Sequence, residues 1–243
     1  MAGKNRVAIV LGLLHYGYPL RDQSIETSSD ENLLYTDRDR VSLVLFTGGE
    51  DVHPYLYGGV DCGVSISNFE RDKYELNIFR YCVKHNIKMA GVCRGFQFLN
   101  VMAGGKMWQH LNGHGGFDHF AYFGKDRLHL LVTSTHHQLV DLDTDSVPIA
   151  WANPKKSKLY VSYDAKVLEG VDGPKWEIES AVFPTINSVG VQYHPEMMEF
   201  ESPCRRHFGL MIKDFLNMPM NDFVSYYGRN PDECQPRTQG QGA

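Results

Sequence analysis

Cys93 stands between two glycines, in Gly91-Val92-Cys93-Arg94-Gly95, at the point where an apolar run gives way to a helical pattern. Ile87–Val92 is too short for a helix and suits a buried parallel strand. Phe96, Phe98, Leu99, Val101 and Met102 then mark the apolar side of a helix that Gly104-Gly105 ends. A strand that turns sharply into a helix through Gly-x-Cys-x-Gly has the form of a nucleophile elbow. The glycines let strand and helix approach closely, and the helix N-terminus favours the reactive thiolate. The competing reading, a small buried hydrophobe, describes most free cysteines, but it leaves both glycines unexplained.

A thiolate nucleophile needs a base, and the base needs an orienting carboxylate. His194-Pro195-Glu196 supplies both at the end of another apolar run, Val189–Tyr193. Residues i and i+2 of an extended chain point the same way, and Pro195 biases His194 toward that conformation. An acyl-transfer site also needs backbone N–H donors for an oxyanion. Arg94, the residue after the nucleophile, gives one. Gly48 or Gly49, just past the strand Val41–Phe46, gives the other; the alternative for this glycine pair is an ordinary turn.

These residues require a parallel α/β core. The pattern predicts strands at Val7–Leu14, Val41–Phe46, Ile87–Val92 and Val189–Tyr193, and helices at Phe69–His85, after Cys93 and at Arg205–Leu216. Lys106–Leu111, Leu128–Gln138, Val147–Ala152, Leu159–Tyr163 and Trp176–Pro184 form a run of short β segments, an antiparallel addition to that core. His15–Arg40 is polar, with no helical stripe, and is expected to be a loop with at most a short helix. Arg71 and Glu75, one helical turn apart, suggest a solvated salt bridge. A single domain over 1–228 is expected, followed by a Pro-, Gln- and Gly-rich disordered tail, 229–243.

A chain of 243 residues with net charge −5 has no basic excess to suggest nucleic acid. Five sparse cysteines form no disulfide framework, which points to a reducing, cytoplasmic setting. No apolar stretch is long enough to cross a bilayer, and Val7–Leu14 suits a strand better than a signal segment. His110, His114, His119 and His129 match no usual ligand spacing, so no metal and no cofactor are expected.

Taken in order, TGGEDVHP at 47–54, Arg71-Asp72 with Glu75, GVCRGFQ at 91–97, VTSTHHQ at 132–138 and GVQYHPE at 190–196 resemble the class I glutamine amidotransferase superfamily. Within it they are most similar to the γ-glutamyl-γ-aminobutyrate hydrolase branch, peptidase family C26, over about residues 7–216. The resemblance implies a three-layer, mostly parallel sheet flanked by helices, with a flavodoxin-like core and a small antiparallel addition. It implies a Cys93–His194–Glu196 triad that cleaves a γ-glutamyl amide through a glutamyl thioester, with Arg94 and Gly48 or Gly49 as oxyanion hole. Gln97, Ser134 and His136 would hold the glutamyl head group. The chain departs from the pattern in a shortened stretch before Thr47 and in Thr133, where the branch usually has Asn. Three functions fit: a self-contained γ-glutamyl hydrolase, as a monomer or a homodimer; a glutaminase subunit serving a synthetase partner; or a catalytically silent binding protein on the same scaffold.

Overall fold

The computed structural model describes residues 7–116 and 118–234. In chain order the strands are β1 (Val7–Leu11), β2 (Glu26–Ser28), β3 (Val41–Phe46), β4 (Lys88–Val92), β5 (Lys106–Trp108), β6 (His110–Leu111) and β7 (His119–Phe123). They continue with β8 (Leu128–Val132), β9 (Leu139–Asp141), β10 (Val147–Ala152), β11 (Leu159–Val161), β12 (Val167–Glu169), β13 (Ile178–Phe183) and β14 (Ser188–Val191). The helices are α1 (Tyr18–Arg21), α2 (Leu33–Thr36), α3 (Phe69–Lys84), α4 (Arg94–Ala103), α5 (Pro203–Asn217) and α6 (Met220–Tyr227).

Among the described residues, nine strands form one sheet in the order β2-β1-β3-β4-β14-β13-β10-β7-β8. The first five are mutually parallel, and the remaining pairings are antiparallel. Strand alternation sorts the core into two layers. Leu43 and Leu45 of β3 face Phe208, Met211 and Ile212 of α5, while Val44 and Phe46 face the layer of α3 and α4. With both faces covered, the central strands are continuously apolar. The elements are α/β, as expected.

Several boundaries differ from the sequence reading. The stretch 15–40 holds β2, a three-residue polar edge strand, and the single-turn helices α1 and α2. α6 follows α5 after Pro219 and packs Phe223 and Tyr227 into the core. The antiparallel part is larger than expected: it extends the main sheet by four strands and adds two small sheets, β12-β11-β6 and β5-β9. Residues 229–234 of the expected disordered tail form a hydrogen-bonded turn, with Arg229 N donating to Pro148 O at 2.8 Å and Cys234 packed on the core. Residues 235–243 lie outside the described residues.

Candidate active site

β3, β4 and β14 are neighbours in the sheet, all parallel, with Phe46 and Gly190 both in register with Gly91. Their carboxyl ends therefore lie side by side, where α/β sheets place ligands. Thr47-Gly48-Gly49 leaves β3, Cys93 leaves β4, and His194 comes shortly after the end of β14.

Cys93 adopts φ 52° and ψ −111°, a conformation that L-residues other than glycine rarely occupy. It is almost completely buried, and its backbone N donates to Val191 O at 2.8 Å. The flanking glycines are forced by close approach. A Cβ on Gly91 would meet the Gly95 carbonyl at 2.5 Å, and one on Gly95 would lie 2.1 Å from the Phe46 carbonyl oxygen. The elbow is thus wedged between its own helix and β3.

His194 hydrogen-bonds to Cys93 and, through Nδ1, to Glu196 Oε1 at 2.6 Å. Burial works against charge on the ring, but hydrogen bonds to Cys93 and Glu196, together with their charges, overcome it and raise His194 from 6.5 to about 10. The ring therefore favours the imidazolium. The His–Glu contact exists, but not for the reason the sequence suggested: Pro195–Met197 is a turn of 3-10 helix rather than extended chain. That turn brings the carboxylate beneath the ring. Thr133 Oγ1 accepts from His194 N at 2.8 Å, so the residue that departs from the family pattern fixes the backbone of the base.

The Gly48-Gly49 turn lies against His194, since a Cβ on Gly48 would fall 2.9 Å from His194 Cε1. The same Cβ would be 2.6 Å from the Tyr16 hydroxyl, which accepts the Gly48 N–H. Burial, then the charges of Glu196 and Cys93, push that hydroxyl up to about 12. A 390 Å³ cavity bordered by Leu13, Tyr16, Gly48, Gly49 and Tyr74 opens beside the turn.

Arg71 holds this turn. Its Nη2 donates to Gly48 O at 2.9 Å and Thr47 O at 3.1 Å, while Nη1 reaches Glu50 at 3.2 Å and Nε reaches Glu75 at 2.9 Å. The solvated salt bridge expected for Arg71 and Glu75 is instead largely buried, with Glu75 only 2% exposed. Glu75 and Asp72 also pair with the fully buried Arg94, and Asp72 accepts from His53 N at 3.1 Å. α3 therefore ties the first residue of α4 to the turn after β3. Neither Tyr16 nor this role of Arg71 was found from sequence, because both depend on packing between elements distant in the chain.

Gln97, Ser134 and His136 are all buried. Gln97 Nε2 donates to Gln192 Oε1 at 3.3 Å, and the Ser134 hydroxyl donates to His114 O. His136 shares a hydrogen bond between Nδ1 and Gln138 O at 2.8 Å. The histidines that sequence spacing left scattered converge in part: His114 and His119 meet His136 and the carboxylates of Glu177 and Glu179. His110 pairs instead with His137 at 3.3 Å.

Fold and site together define a class I glutamine amidotransferase-like protein. The chain belongs to the peptidase C26 family, whose model matches residues 24–196. It is 40% identical over 73 residues to YvdE of Lactococcus lactis, described as glutamine amidotransferase-like, an alignment covering 30% of this chain and 31% of that protein. It is 28% identical over 152 residues to the carbamoyl phosphate synthase small chain of Thermotoga maritima, covering 55% of this chain and 39% of the other. These matches span about a third of their curated relatives' length. A Thermoplasma acidophilum protein described as one chain of a GMP synthase shares the fold, with TM-score 0.55 at 13% identity over 91% of this chain and 97% of its own.

Proposed function

We propose that one glutamine amidotransferase-like domain hydrolyses a γ-glutamyl amide with Cys93 as nucleophile, His194 as base and acid, and Glu196 as its orienting carboxylate. The observation that carries this reading is the ring of His194, hydrogen-bonded to the strained Cys93 on one side and to Glu196 on the other. The Cys93 sulfur attacks the γ-carbonyl carbon and pushes its electron pair onto oxygen. Arg94 N–H and an N–H of the glycine turn stabilise that oxyanion. Gly48 N–H is engaged by Tyr16, so Gly49 is the donor we assign. Collapse of the tetrahedral intermediate breaks the C–N bond, and His194 protonates the departing ammonia or amine. Water, deprotonated by His194, then attacks the glutamyl thioester, releasing glutamate and the thiolate. Gln97, Ser134 and His136 shape the head-group pocket from behind, since their side chains are engaged internally.

Purified protein is assayed on glutamine and a panel of γ-glutamyl amines, with mass spectrometry after exposure to a glutamine-mimetic electrophile. Partner-independent turnover and one adduct on Cys93 are expected. A folded protein with neither turnover nor adduct would leave only the silent binding scaffold. A second reading, a glutaminase subunit feeding ammonia to a synthetase, is favoured by the similarity to the carbamoyl phosphate synthase small chain. Slow glutamine hydrolysis accelerated only by a second protein would select it.

A further inference from the structure

Behind the candidate active site, four elements bring imidazoles and carboxylates to one buried point. His114 comes from the loop after β6, His119 from the start of β7, His136 from the loop before β9, and Glu177 and Glu179 from the edge and body of β13. All five are at most 3% exposed. His119 Nε2 lies 2.9 Å from Glu179 Oε1, and His114 Nδ1 lies 3.5 Å from the same oxygen. His136 Nε2 is 3.2 Å from His114 Nδ1 and 3.9 Å from Glu179 Oε1. Donor atoms of His114, His119 and Glu179 all fall within 4.8 Å of one another.

We propose that this cluster binds one divalent cation of the zinc type through His114 Nδ1, His119 Nε2 and Glu179 Oε1, with His136 Nε2 as fourth donor. Tetrahedral ligands about 2.0–2.1 Å from zinc stand about 3.3–3.4 Å apart, and the four separations given above straddle that value. The outer contacts turn the right atoms inward. The Gln138 carbonyl takes the His136 Nδ1 proton, and the Glu177 carboxylate takes that of His114 Nε2. Glu177 is itself held by Lys156 N, Ser157 N and the Tyr160 hydroxyl. Imidazole ligands oriented by a carboxylate and a carbonyl are the usual support of a metal site. Two lone pairs facing each other at 3.2 Å repel unless a proton or a cation stands between them, so binding exchanges that proton for the ion. Glu179 provides an independent sign: its Oε2, on a completely buried residue, has no hydrogen-bond partner.

The ion would be structural. Glu179 O accepts from Gln192 N at 2.8 Å, and Thr133, next to Ser134, holds His194 N. A cation here pins β13, β7 and the loop after β8 behind the base.

Protein purified from zinc-supplemented medium and dialysed into metal-free buffer is analysed for elements, and its Tm is measured with and without a strong chelator. About one equivalent of zinc per chain is expected, with a Tm fall of about 5 °C or more on its removal. Glu179→Gln and His119→Asn should lose the ion, while His129→Ala, an exposed imidazole, should keep it. Only trace metal in the folded wild-type protein, with a Tm indifferent to zinc and chelator, would overturn the proposal and leave a proton-sharing cluster. Full zinc content in both ligand variants would overturn it equally. The wild-type measurement decides even where a variant does not fold.

Discussion

Replacing Arg71 with Lys keeps a positive charge beside Glu75 and removes the planar fork that holds the glycine turn. Arg71 makes four contacts to two carboxylates and two backbone carbonyls, the latter at 2.9 and 3.1 Å. An ammonium on a flexible stem serves as a point charge and does not span that set. Hydrogen bonds to charged groups contribute about 1.5–3 kcal/mol each before exposure is considered. Arg71 is 21% exposed and Lys recovers part of the interaction, so a stability loss of about 1–2 kcal/mol is expected. Arg94 remains paired with Glu75, which spares the variant a lone buried carboxylate. The effect on turnover should be larger than stability suggests. Removing an oxyanion donor costs about 10²–10³ in kcat, and a donor left in place but loosened should cost about 10–100-fold. Oxyanion contacts strengthen only as charge develops, so KM should stay within about threefold. The assay is steady-state hydrolysis of a chromogenic γ-glutamyl anilide, with urea unfolding as the control on stability. A kcat within about twofold of wild type in the folded variant would refute the claim that Arg71 sets the turn. A raised KM with unchanged kcat would instead make Arg71 a contact of the substrate.

Two further perturbations address the elbow. Cys93→Ala and Cys93→Gly should both abolish turnover while retaining the fold, but Gly should be the more stable by about 1–2 kcal/mol in urea titrations. The reason is that φ 52°, ψ −111° strains any residue with a Cβ; equal stability of the two would show that the strain is absent. The His194 imidazolium should persist well above neutrality, because the folded protein raises its pKa from 6.5 to about 10. A raised pKa means that the charged ring's stabilisation is complete below about pH 6.5 and is lost as pH rises through about 10. Unfolding free energy should therefore decline across that window. Cys93 is among the groups that raise this value, so Cys93→Ala should lower it; an unchanged NMR titration of His194 in that variant would break the link between thiol and base.

Where the chemistry depended on local backbone demands, it was legible in the sequence. Gly91 and Gly95 announced a close strand–helix approach, and the structure places them against the Gly95 and Phe46 carbonyls, with no room for a Cβ. The pairing of His194 with Glu196 was equally visible, although the 3-10 turn that creates it was not. β2 escaped notice because three polar residues at a sheet edge carry no apolar alternation. Arg71 and Glu75 looked like an ordinary exposed pair because their burial comes from β3 and the turn after it, far upstream in the chain. The histidine cluster was invisible for a related reason. Spacing rules detect ligands carried on one element, whereas His114, His119, His136 and Glu179 arrive on four separate segments.

The active-site frame follows from adjacency in the sheet more than from any single side chain. Neighbouring strands lie about 4.8 Å apart, so the ends of β3 and β14 flank Cys93 on opposite sides. The glycine turn and His194 close over the end of β4 until only a hydrogen atom fits at Gly48. A carbonyl carbon at the sulfur would then have oxyanion donors toward β3 and a proton carrier toward β14, which is the separation of roles that acyl transfer requires. Packing alone would let the two outer strands shift, and α3 opposes this by linking the glycine turn to Arg94 through Arg71, Glu75 and Asp72. Those two elements supply the two proposed oxyanion donors. The buried charges on α3 therefore belong to the geometry of the reaction as much as to the stability of the fold.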